Sequence, residues 1–217
     1  MLFKQHKLRV VVVVMGVLVR SISLADADTC GRICYQGYKE LYERHGFPPA
    51  FPSVDAATRR IRHSTEHPAV YGVVGEIDGS VVGFNFLREL DPVRAVGPLV
   101  IDPAAQGHGM GRLLMDAVME RARGARSVRL GTAAYNFQAL PLYASVGFEV
   151  KEPLLSMVGK PDGAAPVSGY DVHPMQEADF RGCEALHERV HGLSRANELR
   201  DQFVAGTVIV ALRDGKV

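Results

Sequence analysis

The sequence has no tryptophan and only three cysteines among its 217 residues. A small, odd number of cysteines excludes a disulfide framework as the basis of the fold. Cys30 and Cys34 fall on one apolar helical stripe, and no cluster of cysteine and histidine with zinc spacing accompanies them. We therefore expect these two thiols to pack in a core as small hydrophobic groups, in a protein kept under reducing conditions.

An excess of one charge and a long apolar run are also lacking. The net charge of +1 argues against electrostatic attraction to nucleic acid or to a membrane surface. The apolar run Val10–Val19 is shorter than the roughly 20 residues of a membrane-spanning helix. It is typical either of a signal peptide, cleaved after Ala25, or of an extension before a first strand at Val17–Ser23. The β propensity of valine favours the strand, and hence a cytoplasmic protein that keeps its N-terminus.

At 47% hydrophobic residues, the chain is able to bury a substantial core. Two local signals are strong: Ser53 is a typical helix N-cap, and Asp78-Gly79 between two apolar runs predicts a tight hairpin. The predicted elements are helices at Asp26–Arg44, Val54–His63 and Met110–Ala122, and strands at Tyr71–Ile77, Ser80–Arg88, Gly97–Ile101, Val128–Ala134, Phe148–Val150 and Leu155–Val158.

The stretch Val96–Leu114 combines a strand, a glycine-rich turn and the start of a helix. Asp102-Pro103 ends the strand, because proline has no N–H for a sheet ladder. The glycines of the turn allow the backbone to approach a ligand closely. The free N–H groups and the dipole of a helix N-terminus favour an anion, so this stretch predicts a phosphate site.

Two common phosphate loops are excluded by the spacing of the glycines. The G-x-G-x-x-G dinucleotide fingerprint fails, because its third glycine falls on Arg112 or Leu114. A nucleotide-binding loop of the Gly-Lys-Ser/Thr type is absent as well. The pattern present is Q-x-x-G-x-G, formed by Gln106, Gly109 and Gly111, which resembles the acyl-CoA pyrophosphate loop of GNAT-type N-acetyltransferases.

A second motif lies about 25 residues further on. Asn136–Phe148, read as NFQALPLYASVGF, resembles the N-x-x-A-x-x-L-Y-x-x-x-G-F segment of the same superfamily. Pro141 departs from that pattern, so the helix here either starts late or kinks beside Tyr143. The two motifs together identify the region from Val17 to about Gly159 as similar to the GNAT superfamily.

This resemblance implies an α/β (α+β) fold with a mixed, mostly antiparallel central sheet flanked by helices. It implies an acyltransferase that moves an acetyl group from acetyl-CoA to a primary amine of a small molecule or protein, without a metal. The expected partners are acetyl-CoA and an unidentified amine acceptor, with neither nucleic acid nor membrane, and a homodimer is left open.

The resemblance also assigns roles to particular residues. Tyr143 is expected to face the sulfur of acetyl-CoA as an acid, and Asn136 is expected to touch the pantetheine arm. The remaining residues expected at acetyl-CoA are Leu99, Val100 and Ile101 along the pantetheine and Gln106, Gly107, Gly109, Gly111 and Arg112 at the pyrophosphate.

A general base is not evident, because Val96–Val100 contains no carboxylate where relatives often place a glutamate. An ammonium must lose a proton before it attacks. The candidate bases are Glu76, Glu89, Asp91 and His45, with a chain of waters as the alternative. The missing carboxylate keeps a second hypothesis open, in which the chain is a degenerate, CoA-binding regulatory module.

The C-terminal part of the chain is expected to begin a second unit of the same kind. Tyr170–Asp179 is similar to Val19–Asp28, and Asp214-Gly215 repeats the predicted turn at Asp78-Gly79. We therefore divide the chain into an extension (1–16), a GNAT domain (17–160), a linker (161–168) and a partial second GNAT-like unit (169–217). The alternative for the last segment is an unrelated helix and strand.

Overall fold

A computed structural model describes the backbone of residues 12–14 and all of residues 16–155 and 168–217. Two compact units are present: one runs to Glu89 and resumes over Arg94–Glu149, and the other comprises Leu90–Val93 and Val150–Val217. The elements up to Glu149 are β1 (Val12–Val14), β2 (Val17–Ser21), α1 (Ala27–Arg44), α2 (Val54–Glu66), β3 (Val70–Ile77), β4 (Ser80–Arg88), β5 (Val93–Val96), β6 (Val100–Ile101), α3 (Met110–Arg121), β7 (Ser127–Arg129) and α4 (Ala139–Ser145).

The first unit is built on one sheet with strand order β1-β2-β3-β4-β5-β7, and β6 pairs separately with β4. The pairs from β1 to β6 are antiparallel. Alternation along β3 sends Val74 to a core shared with α1 and α2, and Val73 to a core shared with α3. A mostly antiparallel sheet flanked by helices on both faces confirms the predicted fold class.

The local signals of the sequence predicted the first elements well. The hydroxyl of Ser53 accepts a hydrogen bond from the Ala56 N–H at 3.2 Å, and α2 continues to Glu66, one turn beyond the prediction. Asp78 and Gly79 have φ values of 49° and 76°, as the two central residues of a tight hairpin require. Cys30 and Cys34 are fully buried, and burial raises the pKa of each thiol to about 12.

The predicted continuous strand Gly97–Ile101 is wrong. The structure has β5 before it and β6 at its end, with Gly97 at φ 116° and a cis Gly97–Pro98 peptide bond between them. Pro98 has no N–H to donate, so the ladder with β4 is interrupted there. It resumes with Val100 opposite Phe84, and β4 therefore pairs with both pieces.

Two further strands differ from the prediction. The strand expected at Val128–Ala134 is reduced to β7, and the strand expected at Phe148–Val150 is absent. The N–H of Phe148 donates to the Tyr143 carbonyl at 3.0 Å and so closes the end of α4 instead of joining a sheet. The strand expected at Leu155–Val158 lies, after its first residue, outside the described residues, as does the linker 161–168 before Ser168.

The second unit contains a two-stranded antiparallel sheet and two helices. Its elements are β8 (Asp171–Pro174), α5 (Phe180–His191), α6 (Ala196–Val204) and β9 (Ile209–Leu212). A small core fills the space between them, formed by Met175, Phe180, Cys183, Leu199 and Val210.

The hydrogen bonds of β8, α5 and β9 repeat those of β2, α1 and β3. Asp26 accepts from the Ser23 N–H at 2.8 Å, and Asp179 accepts from the Gln176 N–H at 2.8 Å. The turn at Asp214-Gly215 has φ values of 51° and 71°, matching the hairpin turn of the first unit. The structure aligns Asp179 with Asp26, so the register read from the sequence, which set it opposite Asp28, is wrong by two residues.

Candidate acetyl-CoA and acceptor site

The central sheet of the first unit splits next to β6. β7 is hydrogen-bonded to β5, whereas β6 pairs only with β4 among the described strands. The far edge of β6 is therefore left without a strand partner, which is the arrangement that an extended ligand uses to add to a sheet. Val100 itself is buried against α1, since a Cβ added at Gly37 would lie 2.7 Å from its side chain.

The loop after β6 turns the chain into α3 through left-handed glycines. Gly107 and Gly109 have φ values of 84° and 81°, a region that favours glycine. A Cβ at either position would meet nothing within 4 Å, so the backbone here is open to an approaching group. Gly109 caps α3, and its carbonyl accepts from the N–H groups of Arg112 and Leu113 at 3.0 and 3.2 Å. The N–H groups of Met110 and Gly111 have no earlier carbonyl of the helix to donate to, which makes an anion cradle.

Gln106 and Arg112 hold this loop to its neighbours. The Gln106 side-chain amide donates to the Ile101 carbonyl at 3.2 Å and ties the loop back to β6. The Arg112 guanidinium donates to Asp116 at 2.9 Å and to the Ser145 hydroxyl at 3.1 Å. Arg112 thus joins α3 to α4, and a phosphate would have to compete with both partners for it.

Asn136 begins the second motif, and Tyr143 lies within it on α4. The Asn136 carbonyl accepts from the Ala139 N–H at 3.1 Å, so α4 starts at Ala139 and Pro141 falls in its first turn. Proline is tolerated there because no N–H partner is needed. The late start of the helix resolves the alternative of a kink beside Tyr143.

The Tyr143 side chain is half-buried, with its ring centroid 6.3 Å from that of Phe148. Burial raises the pKa of its phenol, so the hydroxyl keeps its proton at neutral pH. Within the described part of the chain the hydroxyl has no hydrogen-bond partner. It is therefore a free proton donor among the described residues.

Three of the four candidate bases are engaged elsewhere. Glu76 accepts from Arg20 at 2.8 Å, and Glu89 forms ion pairs with Arg94 and Arg121, each at 2.9 Å. Asp91, in the second unit, accepts from two backbone N–H groups at the start of α6 at 3.1 and 3.0 Å. Each of these carboxylates stabilises the fold and is held away from a substrate by its partners.

The fourth candidate, His45, lies directly after α1 and packs against Tyr135, a ring that the sequence did not single out. Its ring centroid is 4.4 Å from that of Tyr135, which stacks on Phe47 at 4.9 Å. A cleft of about 100 Å³ opens beside them, lined by Leu41, Arg44, His45 and residues Tyr135, Asn136, Phe137 and Gln138. The sequence contained one indication of this cleft, because Tyr135 directly precedes Asn136, the first residue of the second motif.

Features of two other classes of site are absent from the described residues. No group of three or more histidine, cysteine, aspartate or glutamate side chains there is arranged to hold a metal ion. None of the helices in that part of the chain has the length and apolarity needed to cross a bilayer.

The profile of the Acetyltransferase (GNAT) family matches residues 34–148, more than half of the chain, and the chain therefore belongs to this family. It is 38% identical over 78 residues to a mycothiol acetyltransferase of Thermomonospora curvata, covering 35% of this chain and 26% of that protein. It is 43% identical over 74 residues to a mycothiol acetyltransferase of Nocardia farcinica, covering 31% of this chain and 24% of that protein. The chain thus spans about a quarter of the length of these relatives.

Solved structures confirm the GNAT fold. A transcriptional regulator from Bacillus halodurans C-125 superposes with a TM-score of 0.54 at 19% identity, over 66% of this chain and 99% of that one. An aminoglycoside N-acetyltransferase in complex with CoA superposes with a TM-score of 0.53 at 17% identity, over 66% and 95%. At these identities the likeness concerns the fold.

Proposed function

We propose that the first unit binds acetyl-CoA and transfers its acetyl group to a primary amine. One observation carries this proposal: the free edge of β6 leads directly into the open glycine turn at the N-terminus of α3. An extended arm with amides suits the first feature, and a pyrophosphate suits the second. Acetyl-CoA has both groups in this order.

The proposed contacts follow the chain. Leu99, Val100 and Ile101 face the pantetheine amides with backbone groups, although the Ile101 carbonyl already accepts from Gln106. The backbone of Gly107, Gly109 and Gly111 surrounds the pyrophosphate. Asn136 borders the pantetheine arm from the second motif, and Arg112 is the weakest of the proposed contacts because two side chains already hold it.

Tyr143 is the proposed acid for the departing thiol. Its raised pKa keeps the phenol protonated, and its hydroxyl is free among the described residues. A thiol titrates near 8.5 and a phenol near 10, so a hydrogen bond to the departing sulfur, or transfer concerted with cleavage of the C–S bond, is favoured over a free tyrosinate.

The acceptor is proposed as an amine of a small molecule or a protein. The relatives bear the names mycothiol acetyltransferase and aminoglycoside N-acetyltransferase, and such different names leave the acceptor of this chain open. Because acceptor pockets are built from variable loops, the family alone does not define it. We place the reaction in the cytoplasm, where the donor is available.

The test is release of free CoA thiol from acetyl-CoA in the presence of a panel of primary amines, with a sample lacking amine as the control. We expect amine-dependent thiol release from at least one amine, with the acetylated product seen by mass spectrometry. Tight binding of acetyl-CoA without transfer to any amine would instead support the regulatory module that the missing strand carboxylate left open.

A further inference from the structure

The aromatic cleft, defined by its lining residues Leu41, Arg44, His45 and 135–138, adjoins the proposed acetyl-CoA site. The rings of Tyr42 and Phe47 pack behind it, against Tyr135. Asn136, the proposed pantetheine contact, lines the same cleft and directly follows Tyr135. The Tyr42 ring approaches that of Tyr135 edge-on, with a centroid distance of 6.4 Å. The rings of His45 and Phe47 lie closer to Tyr135, at 4.4 and 4.9 Å. At about 100 Å³ the cleft is smaller than a typical ligand pocket of about 300–1,000 Å³, so it suits one narrow arm of an acceptor.

The hydrogen bond of His45 determines which of its ring nitrogens carries the proton. Nδ1 lies 2.8 Å from the Leu41 carbonyl oxygen. A carbonyl oxygen only accepts, so Nδ1 must be the donor. In the neutral ring, Nε2 then has the free lone pair of a base, and the ring is held in place by the bond at Nδ1 and by its tilted contact with Tyr135.

The charges around the aromatic cleft favour loss of a proton from an amine. Arg44 also lines the cleft, and no ion pair of its side chain is found in the described part of the chain. A nearby positive charge disfavours a second one, so it lowers the pKa of a bound ammonium. The other titratable groups facing His45 are the phenols of Tyr42 and Tyr135. Desolvation raises the pKa of Tyr135, so it stays neutral.

We propose that Nε2 of His45 takes the proton from the acceptor amine, which enters the aromatic cleft on a narrow alkyl arm. This inference rests on the proposed function and names its missing base. The ammonium first loses a proton to water, and the neutral amine attacks. One amine N–H proton goes to Nε2 while the nitrogen forms a bond to the acetyl carbonyl carbon. The thioester C–S bond then breaks, the sulfur takes a proton from solvent or from Tyr143, which regains one from solvent, and the imidazolium returns its proton to water.

Kinetics with His45→Phe test this role, because the substitution keeps a ring against Tyr135 but removes Nε2. With n-butylamine and lysine ethyl ester as probes, we expect kcat/KM to fall by about 100-fold or more. The acidic limb of the pH profile should disappear, while the acetyl-CoA affinity stays within about twofold. His63→Phe, an exposed histidine of α2, is the matched control and should leave kinetics and affinity unchanged.

A second readout requires neither turnover nor a folded variant. ¹⁵N spectra of histidine-labelled wild type, taken where the ring is neutral, should show His45 as the Nδ1–H tautomer, with an Nε2 signal that shifts when n-butylamine is added.

The outcomes separate this inference from the proposed function. An Nε2–H tautomer, or an acidic limb that survives in an active His45→Phe enzyme, overturns the role of His45 and leaves the transferase intact. A wild type that transfers acetyl to no amine overturns both.

Discussion

At the level of single residues, the motif predicted the backbone conformation of its glycines but not the contacts of its side chains. Gly107 and Gly109 adopt the left-handed conformations that a glycine-rich phosphate loop requires, and the sequence alone indicated this. The tautomer of His45 was not predictable, because it depends on a contact with Leu41 that forms only within the folded helix end. Equally, only the structure shows that Arg112 is held by Asp116 and Ser145.

We predict that the hydroxyl of Tyr143, and not its ring, contributes to catalysis. Replacing this tyrosine with phenylalanine keeps the ring and its contact with Phe148 but removes the hydroxyl. Acid catalysis acts mostly after charge has developed on sulfur, so we expect kcat to fall by about tenfold or more while the acetyl-CoA affinity changes by no more than a few-fold. Steady-state kinetics and calorimetry measure the two quantities. Wild-type turnover in the variant, with chemistry limiting the rate, would show that Tyr143 serves only in packing.

At the scale of elements, local signals were sufficient for the helices and hairpin but not for the central strand. Ser53 and Asp78-Gly79 act through neighbours in sequence, and both predicted the structure correctly. The interruption at Gly97–Pro98 depends on pairing with β4, a contact distant in sequence, so an apolar run there was read as one strand. Phe148 was likewise read as a strand although its N–H closes α4.

Arg20 joins β2 to the start of α1 and to β3, and we predict that this network stabilises the first unit. Its guanidinium donates to Asp26 at 2.8 and 2.7 Å and to Glu76 at 2.8 Å. We expect Arg20→Met to reduce the free energy of unfolding by about 2 kcal/mol at pH 7. Arg62→Met, which removes an exposed ion pair with Asp28, is the control and should cost about 0.5 kcal/mol or less.

The same network predicts a dependence on pH with a definite sign. Burial raises the pKa of Asp26, but hydrogen bonds from Arg20 and Ser23 outweigh burial and lower it overall. A carboxyl with a lowered folded pKa stabilises the fold above its unfolded value of about 3.9, and this contribution is lost as the pH falls through the folded pKa. Urea unfolding, followed by circular dichroism, measures the free energy of unfolding at pH 7 and at pH 3. Between these two values, the free energy of unfolding should fall less in Arg20→Met than in the wild type. An equal loss would contradict this role.

At the scale of the whole molecule, we propose that residues 17–160 carry the site and that residues 169–217 form a partial second GNAT-like unit. The matched bonds of Asp26 and Asp179 support the repeat. The sequence indicated it in the wrong register, because few side chains are shared and only the backbone pattern fixes the alignment. The structural equivalent of Arg20 is His173, whose Nε2 lies 3.4 Å from Oδ2 of Asp179. The aspartate therefore pairs with an arginine in the first unit and with a histidine in the second.

A polypeptide of residues 1–160 should keep the acetyl-CoA affinity of the full chain within about threefold, since all proposed contacts precede Glu149. Residues 169–217, expressed as a matched fusion to the same carrier, should not bind, because they contain no strand, glycine turn and helix in that order. Calorimetry measures both. Loss of binding in the shorter polypeptide that circular dichroism shows to be folded would mean that the second unit belongs to the site.

Acetyl-CoA is proposed to bind at the glycine turn before α3, and Gly109→Asp probes that turn. The substitution places a carboxylate where the pyrophosphate is proposed, so calorimetric titration with acetyl-CoA should show a loss of affinity of about 100-fold or more. Gly124→Asp is the matched control, because Gly124 has a φ of 84° against 81° at Gly109 and is equally open. Gly124 lies beyond the other end of α3, so the Gly124→Asp variant should keep an acetyl-CoA affinity within about twofold of that of the wild type. Unchanged acetyl-CoA affinity in folded Gly109→Asp would contradict binding of the pyrophosphate at this turn.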